Sequence, residues 1–121
     1  MEVGCGAGAF ASRLAQRSET VDAVDRSAHM IKQAKHRTPS NVNCVLADVL
    51  SNPLPGRDYD AIVSIGAFHH MELPDVLPVL AAAPRPGGVL AAIALPRRDL
   101  ARELPIESSR RSDIVFSARC F

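Results

Sequence analysis

Glu2-Val3-Gly4-Cys5-Gly6-Ala7-Gly8-Ala9 is the stretch that decides the fold. Met1-Glu2-Val3 reads as the end of a strand and Gly4 to Gly8 as a turn of alternating glycines. Ala9 to Arg17 reads as a helix with Phe10 and Leu14 on one face. Glycine in such a turn admits positive φ and lets a ligand approach the backbone where a Cβ would stand in the way. Working outward, short β-type runs alternate with helical ones. Val21 to Val24 is a strand ending at Asp25, and Ser27 is an N-cap for a helix from Ala28 to His36. Lys35, His36 and Arg37 complement the carbonyl end of that helix. Val42 to Ala47 is a strand ending at Asp48, and Asn52 to Asp58 is a polar surface connection. Ala61 to Ile65 and Val89 to Leu95 are near-continuous apolar runs, the pattern of strands buried on both faces. Between them the sequence predicts a helix over Asp75 to Ala83, with Pro78 in its first turn, then a tight turn at Pro86-Gly87-Gly88. This alternation implies a parallel sheet with helices on both faces and ligands beyond the carboxyl ends of the strands. The glycine turn, Asp25 and Asp48 all fall at such ends.

The 121 residues make one domain's worth of chain, and 47% hydrophobic with 22% charged residues is the balance of an ordinary soluble protein. A net charge of +1 gives no electrostatic ground for nucleic-acid or membrane partners. The apolar runs are also too short to span a bilayer. Cys5, Cys44 and Cys120 are odd in number and far apart, which argues against a disulfide framework or a zinc site. No metal is expected, and no secretory leader precedes the glycine turn; a reducing cytoplasm suits the chain.

The glycine turn leaves the ligand open. Gly4 to Ala9 satisfies the G-x-G-x-x-A form of the dinucleotide fingerprint, and Asp25 could accept from the ribose hydroxyls of NAD or of S-adenosylmethionine alike. Other residues separate the two. Glu2 to Gly8, with its acid before the loop, is similar to the first motif of the class I S-adenosylmethionine-dependent methyltransferases. Val24-Asp25-Arg26-Ser27 with Met30-Ile31 resembles their ribose-binding strand end and the helix after it. Ala47-Asp48-Val49 resembles the segment that approaches the adenine, and Tyr59-Asp60-Ala61-Ile62-Val63-Ser64 their fourth strand. Phe68-His69-His70 falls where a small-molecule branch often carries paired histidines, and Ala83 to Gly88 resembles the loop before strand five. Several motifs in family order, from Glu2 to about Leu95, are a specific signal where a lone glycine loop is not.

The resemblance implies an α/β, Rossmann-like, doubly wound and mostly parallel sheet, with S-adenosyl-L-methionine as cofactor and a small-molecule methyl acceptor. It implies a cofactor site made of Glu2, Gly4, Cys5, Gly6, Gly8, Asp25, Arg26, Met30, Asp48, Val49 and Ser64. Glu2 and the loop face the methionine end, Asp25 the ribose, Asp48 the adenine amino group, and Val49 and Met30 form apolar walls. His69 is the candidate general base; its other reading is a helix-entry residue that orders a loop. Only Met1 to Val3 precede Gly4, so strand one is expected to be shortened. After Pro105 the pattern dissolves, so the C-terminal antiparallel strands are expected to be missing. The chain is accordingly read as a partial core, residues 1–105, with an irregular tail, residues 106–121, truncated at both ends and impaired in activity. A non-catalytic remnant that binds cofactor or a partner, and an NAD-binding oxidoreductase fragment, are the alternatives.

Overall fold

In a computed structural model that describes residues 1–94 and 114–119, the chain divides into two units, Met1–Arg57 and Asp58–Phe121. The first contains β1 (Glu2–Val3), α1 (Ala9–Ala15), β2 (Val21–Asp25), α2 (Ala28–Arg37) and β3 (Val42–Leu46). β2 runs parallel to both of its partners, setting Val3 beside Val24 on one side and Cys44 beside Ala23 on the other. Strand one is two residues long. Its pairing is carried on by the turn: the N–H groups of Gly4 and Cys5 both donate to the Val24 carbonyl, at 2.8 and 3.0 Å.

Cys5, Ala11, Ala15, Val21, Ala23 and Ile31 form the core of this unit. Alanines on the inner face of α1 let the helix lie close to the strands. The buried stripe is Ala11 and Ala15, one position round from Phe10 and Leu14, which flank it half-buried. α1 ends at Ala15, short of Arg17, because the chain tightens there. Gln16 and Arg17 N–H donate to the carbonyls of Arg13 and Leu14, three residues back. The Asn41 amide covers the freed helix end, donating to the carbonyls of Ala15 and Ser18 at 3.0 and 3.1 Å. Ser27 caps α2 as its sequence position predicts, its Oγ accepting the Met30 N–H at 3.3 Å.

The second unit contains β4 (Tyr59–Ile65), a 3-10 turn (Phe68–His70), α3 (Leu73–Ala81), β5 (Pro84–Ala94) and β6 (Ile114–Arg119). β5 is flanked on both sides, by β4 parallel and β6 antiparallel. The α/β, mostly parallel class stands, with four corrections. Ala61 to Ile65 and the described part of Val89 to Leu95 are strands, but burial on both faces does not hold. Ile62, Ser64, Leu90, Ala92 and Ala94 are buried, while Ala61 is exposed and Ile65 and Ile93 are each 40% exposed. A continuous apolar run carries no mark of which face is covered, and here burial follows the pleat.

α3 begins at Leu73 with Pro74 in its first turn, so Pro78 sits inside the helix and has no N–H for the Pro74 carbonyl. The first of the two prolines is the start signal. The Pro86-Gly87-Gly88 turn is an outward loop within β5. Tyr59 pairs with Pro84 and Ala61 with Val89, so Arg85 to Gly88 have no opposite number. Arg85 then reaches back to pair with Asp60 at 2.5 Å. Finally, Ile114–Arg119 is a strand where an irregular tail and missing antiparallel strands were expected. Ile114-Val115-Phe116 is β-branched and aromatic, a strand former once β5 offers it backbone groups. Leu95, residues 96–113 and residues 120–121 lie outside the described residues.

Candidate cofactor site

Asp25 organises the first unit at the carboxyl end of β2. It closes β2, and its two carboxylate oxygens accept from two different segments: Oδ2 from the Gly6 N–H at 2.9 Å, Oδ1 from the Ser27 N–H at 2.8 Å. Its carbonyl takes the Ala47 N–H at 3.0 Å. One residue therefore ties the glycine turn, the start of α2 and the exit of β3 together. A carboxylate has about four acceptor sites, so each oxygen keeps one for a ligand hydroxyl.

The glycines act for different reasons. Gly8 has φ +85°, and a Cβ there would lie 2.5 Å from Thr38 Cγ2 and 3.2 Å from Ala34 Cβ, so it lets the turn press against α2. Gly6 has φ +53°, and a Cβ there would meet nothing within 4 Å. The turn is thus tightly packed below Gly8 and open above Gly6. Its N–H groups are largely committed: Gly4 and Cys5 to Val24, Gly6 to Asp25, and Gly8 to the Cys5 carbonyl at 3.0 Å.

Beneath the turn lies Glu2. It is 2% exposed, and its Oε2 has no hydrogen-bond partner. Burial raises its pKa to about 7, assisted by the charge of Asp25 and opposed by the chain's amino group and the Ala11 N–H. Cys5, buried beside these two acids, has its thiol pushed up to about 12, first by burial and then by their charges.

Asp48 opens the turn after β3. Its Oδ1 accepts the Leu50 N–H at 2.9 Å, and its own N–H donates to Asn52 Oδ1 at 2.9 Å. That geometry faces Val49 inward, buried, and Leu50 outward. Met30 is half-buried in the first turn of α2, and Arg26 is exposed. Ten of the expected cofactor residues are thus gathered in the first unit. Ser64 and His69 belong to the second. Ser64 is fully buried on β4 with an unpartnered Oγ, and His69 is half-buried with an unpartnered Nδ1. The His69 ring stacks obliquely on the exposed His70, with centroids 3.9 Å apart. Sequence reading missed the Ala11 N–H and Asn41, whose roles depend on contacts distant in sequence. It assigned Ser27 only a cap, although its N–H also orients Asp25. No described helix is long and apolar enough to cross a membrane.

The family model for the methyltransferase domain matches residues 1–88. An uncharacterised methyltransferase of Mycobacterium tuberculosis is 38% identical over 95 residues, covering 77% of this chain and 48% of the relative. The chain spans about half the length of the curated relatives it matches most extensively. Among solved structures, the S-adenosylmethionine dependent methyltransferase from Mesorhizobium loti superposes with a TM-score of 0.66 at 28% identity, over 78% of this chain and 45% of that one. The N-methyltransferase NodS from Bradyrhizobium japonicum superposes with a TM-score of 0.79 at 19% identity, over 98% and 83%, which shows the fold alone. A second NodS structure, in complex with S-adenosyl-L-homocysteine, gives 0.74 at 24% identity, over 84% and 54%. The chain belongs to the methyltransferase domain family, within the class I S-adenosylmethionine-dependent enzymes that its motif order resembles.

Proposed function

We propose that these residues hold S-adenosyl-L-methionine for methyl transfer to a small-molecule acceptor. The observation that carries this reading is the pairing of a spent glycine turn with a buried acid. A pyrophosphate needs free N–H groups and no negative charge beneath them. Here Gly4, Cys5, Gly6 and Gly8 have given their N–H groups away, and Glu2 lies underneath with an unpaired oxygen. Such a site favours the cationic amino group of a methionine moiety over a dinucleotide's phosphates, which weighs against the oxidoreductase alternative.

In this reading Glu2 faces the amino group, the open surface over Gly6 receives the ligand, and Asp25 offers its remaining acceptor sites to the ribose hydroxyls. Asp48 keeps one carboxylate oxygen for the adenine amino group beside Val49 and Met30; Gly4, Cys5, Gly8 and Arg26 complete the first unit's set. The cofactor supplies an activated methyl group on a sulfonium, so the protein's task is alignment, with a base where the acceptor must lose a proton. His69 is the candidate for that proton. Its buried Nδ1 has no hydrogen-bond partner. Among the described residues the assignments concern the cofactor, with His69 alone bearing on the acceptor, and low turnover by this chain is the expected outcome.

Titration calorimetry with S-adenosylhomocysteine and with NADH tests the reading. The former should bind and the latter should not. Asp25→Ala should weaken binding by about 1.5–3 kcal/mol, the usual loss for hydrogen bonds to a charged group. NADH binding, or an affinity unmoved by Asp25→Ala, would remove the basis for the assignment.

A further inference from the structure

A carboxyl buried to 2% exposure is normally matched on both oxygens, and Glu2 Oε2 has no partner. The Ala11 N–H, in the first turn of α1, reaches the carboxyl, while Oε2 faces no donor. Every titratable or charged group bearing on it has a place: Asp25 at the end of β2, Cys5 in the glycine turn, and the amino group of Met1. Asp25 already accepts two N–H groups, and Cys5 is held as a neutral thiol. Burial outweighs the opposing amino group of Met1, and an unmatched oxygen out of water is better tolerated carrying a proton than carrying a charge.

We propose that Glu2 makes ligand capture proton-coupled: the free protein holds a proton on the unmatched Glu2 oxygen, and arrival of a cationic amino group over the glycine turn expels it to solvent. This inference rests on the proposed cofactor reading. The balance is simple: the O–H bond of Glu2 breaks, its proton leaves to buffer, and the carboxylate it leaves behind is compensated by the ligand's ammonium. The pKa of about 7 in the free protein puts the event in the neutral range. At pH 7 about half a proton should be released per ligand bound, rising to about 0.9 at pH 6 and falling to near zero at pH 8.5.

Calorimetric titration of S-adenosylhomocysteine into the full chain, in phosphate and in Tris at each of these pH values, reads the number directly from the dependence of heat on buffer ionisation enthalpy. Glu2→Gln, which has the shape of the protonated acid, should bind with no proton exchanged at any of the three. Binding by the wild type with no proton exchanged overturns the inference and leaves the cofactor reading intact; absence of binding overturns both. If Glu2→Gln fails to fold, the wild-type series still decides. A release that does not fall between pH 6 and 8.5 assigns the proton elsewhere and overturns the inference.

Discussion

The turn after β1 and the connection after β4 stand at corresponding places in their two units, and they are finished to different degrees. In the first, the N–H groups of Gly4, Cys5, Gly6 and Gly8 are spent on carbonyls or on Asp25, and the unmatched group is an acid, Glu2. In the second, a hydroxyl, Ser64, and an imidazole nitrogen, His69 Nδ1, are the unmatched groups, with Ser64 on the buried face of β4 and Ile65 and Ile93 each 40% exposed. The unmatched groups of the second unit, a hydroxyl and a ring nitrogen, thus differ in kind from the carboxyl of the first.

The largest expected effect tests the rigidity of the first turn. Gly8→Ala combines positive φ with a contact of 2.5 Å and should cost about 3 kcal/mol in chemical denaturation. Gly6→Ala, with open space around it, should cost only about 1 kcal/mol while still blocking ligand approach. Equal losses would mean that the packing beneath Gly8 does not set the turn.

Next comes pH. Glu2 has a raised folded-state pKa, so its contribution to stability is fully present below the unfolded value of about 4.5 and is lost as pH rises through about 7. Between those values the folded protein binds more protons than the unfolded chain, and stability should fall by about 3 kcal/mol. Glu2→Gln should remove that slope, and parallel denaturation profiles for the two proteins across this range would contradict the burial argument.

Asn41→Ala should cost about 1 kcal/mol, because the end of α1 loses its remote donor. Thermal melts would show it, and a silent substitution would mean that water covers the Ala15 and Ser18 carbonyls equally well. The smallest effect belongs to the second unit. Ser64→Ala deletes a buried hydroxyl with no partner and should leave stability unchanged or raise it by up to about 1 kcal/mol. A clear loss would show that Ser64 is matched after all and would erase the contrast between the regions.

What the sequence made legible is what local chemistry determines. The glycine turn, the strand end at Asp25 and the Ser27 cap depend on residues within a few positions of one another, and the structure places them as expected, while β3 stops at Leu46, two residues before Asp48. What stayed hidden depends on distant pairing. The outward loop at Arg85 to Gly88 follows from the register against β4, and β6 from the edge that β5 presents. Whether the apolar runs of β4 and β5 are covered on one face or two depends on neighbours that the runs themselves do not encode. The site divides the same way: Asp25 was visible as an acid at a strand end, but not as the anchor of Gly6 and Ser27. Glu2 was visible as an acid before the loop, but its unmatched oxygen is a property of the fold.

Cys5 sits in the turn that faces the proposed methyl donor, and sulfur in its ionised form is among the strongest nucleophiles a protein carries. A thiolate there would compete with the acceptor and alkylate the protein itself. Burial and the two neighbouring acids push the thiol up to about 12, so at neutral pH only about one molecule in a hundred thousand carries the reactive form. The acids that ready the turn for a cationic ligand thereby also protect it from the ligand's own chemistry.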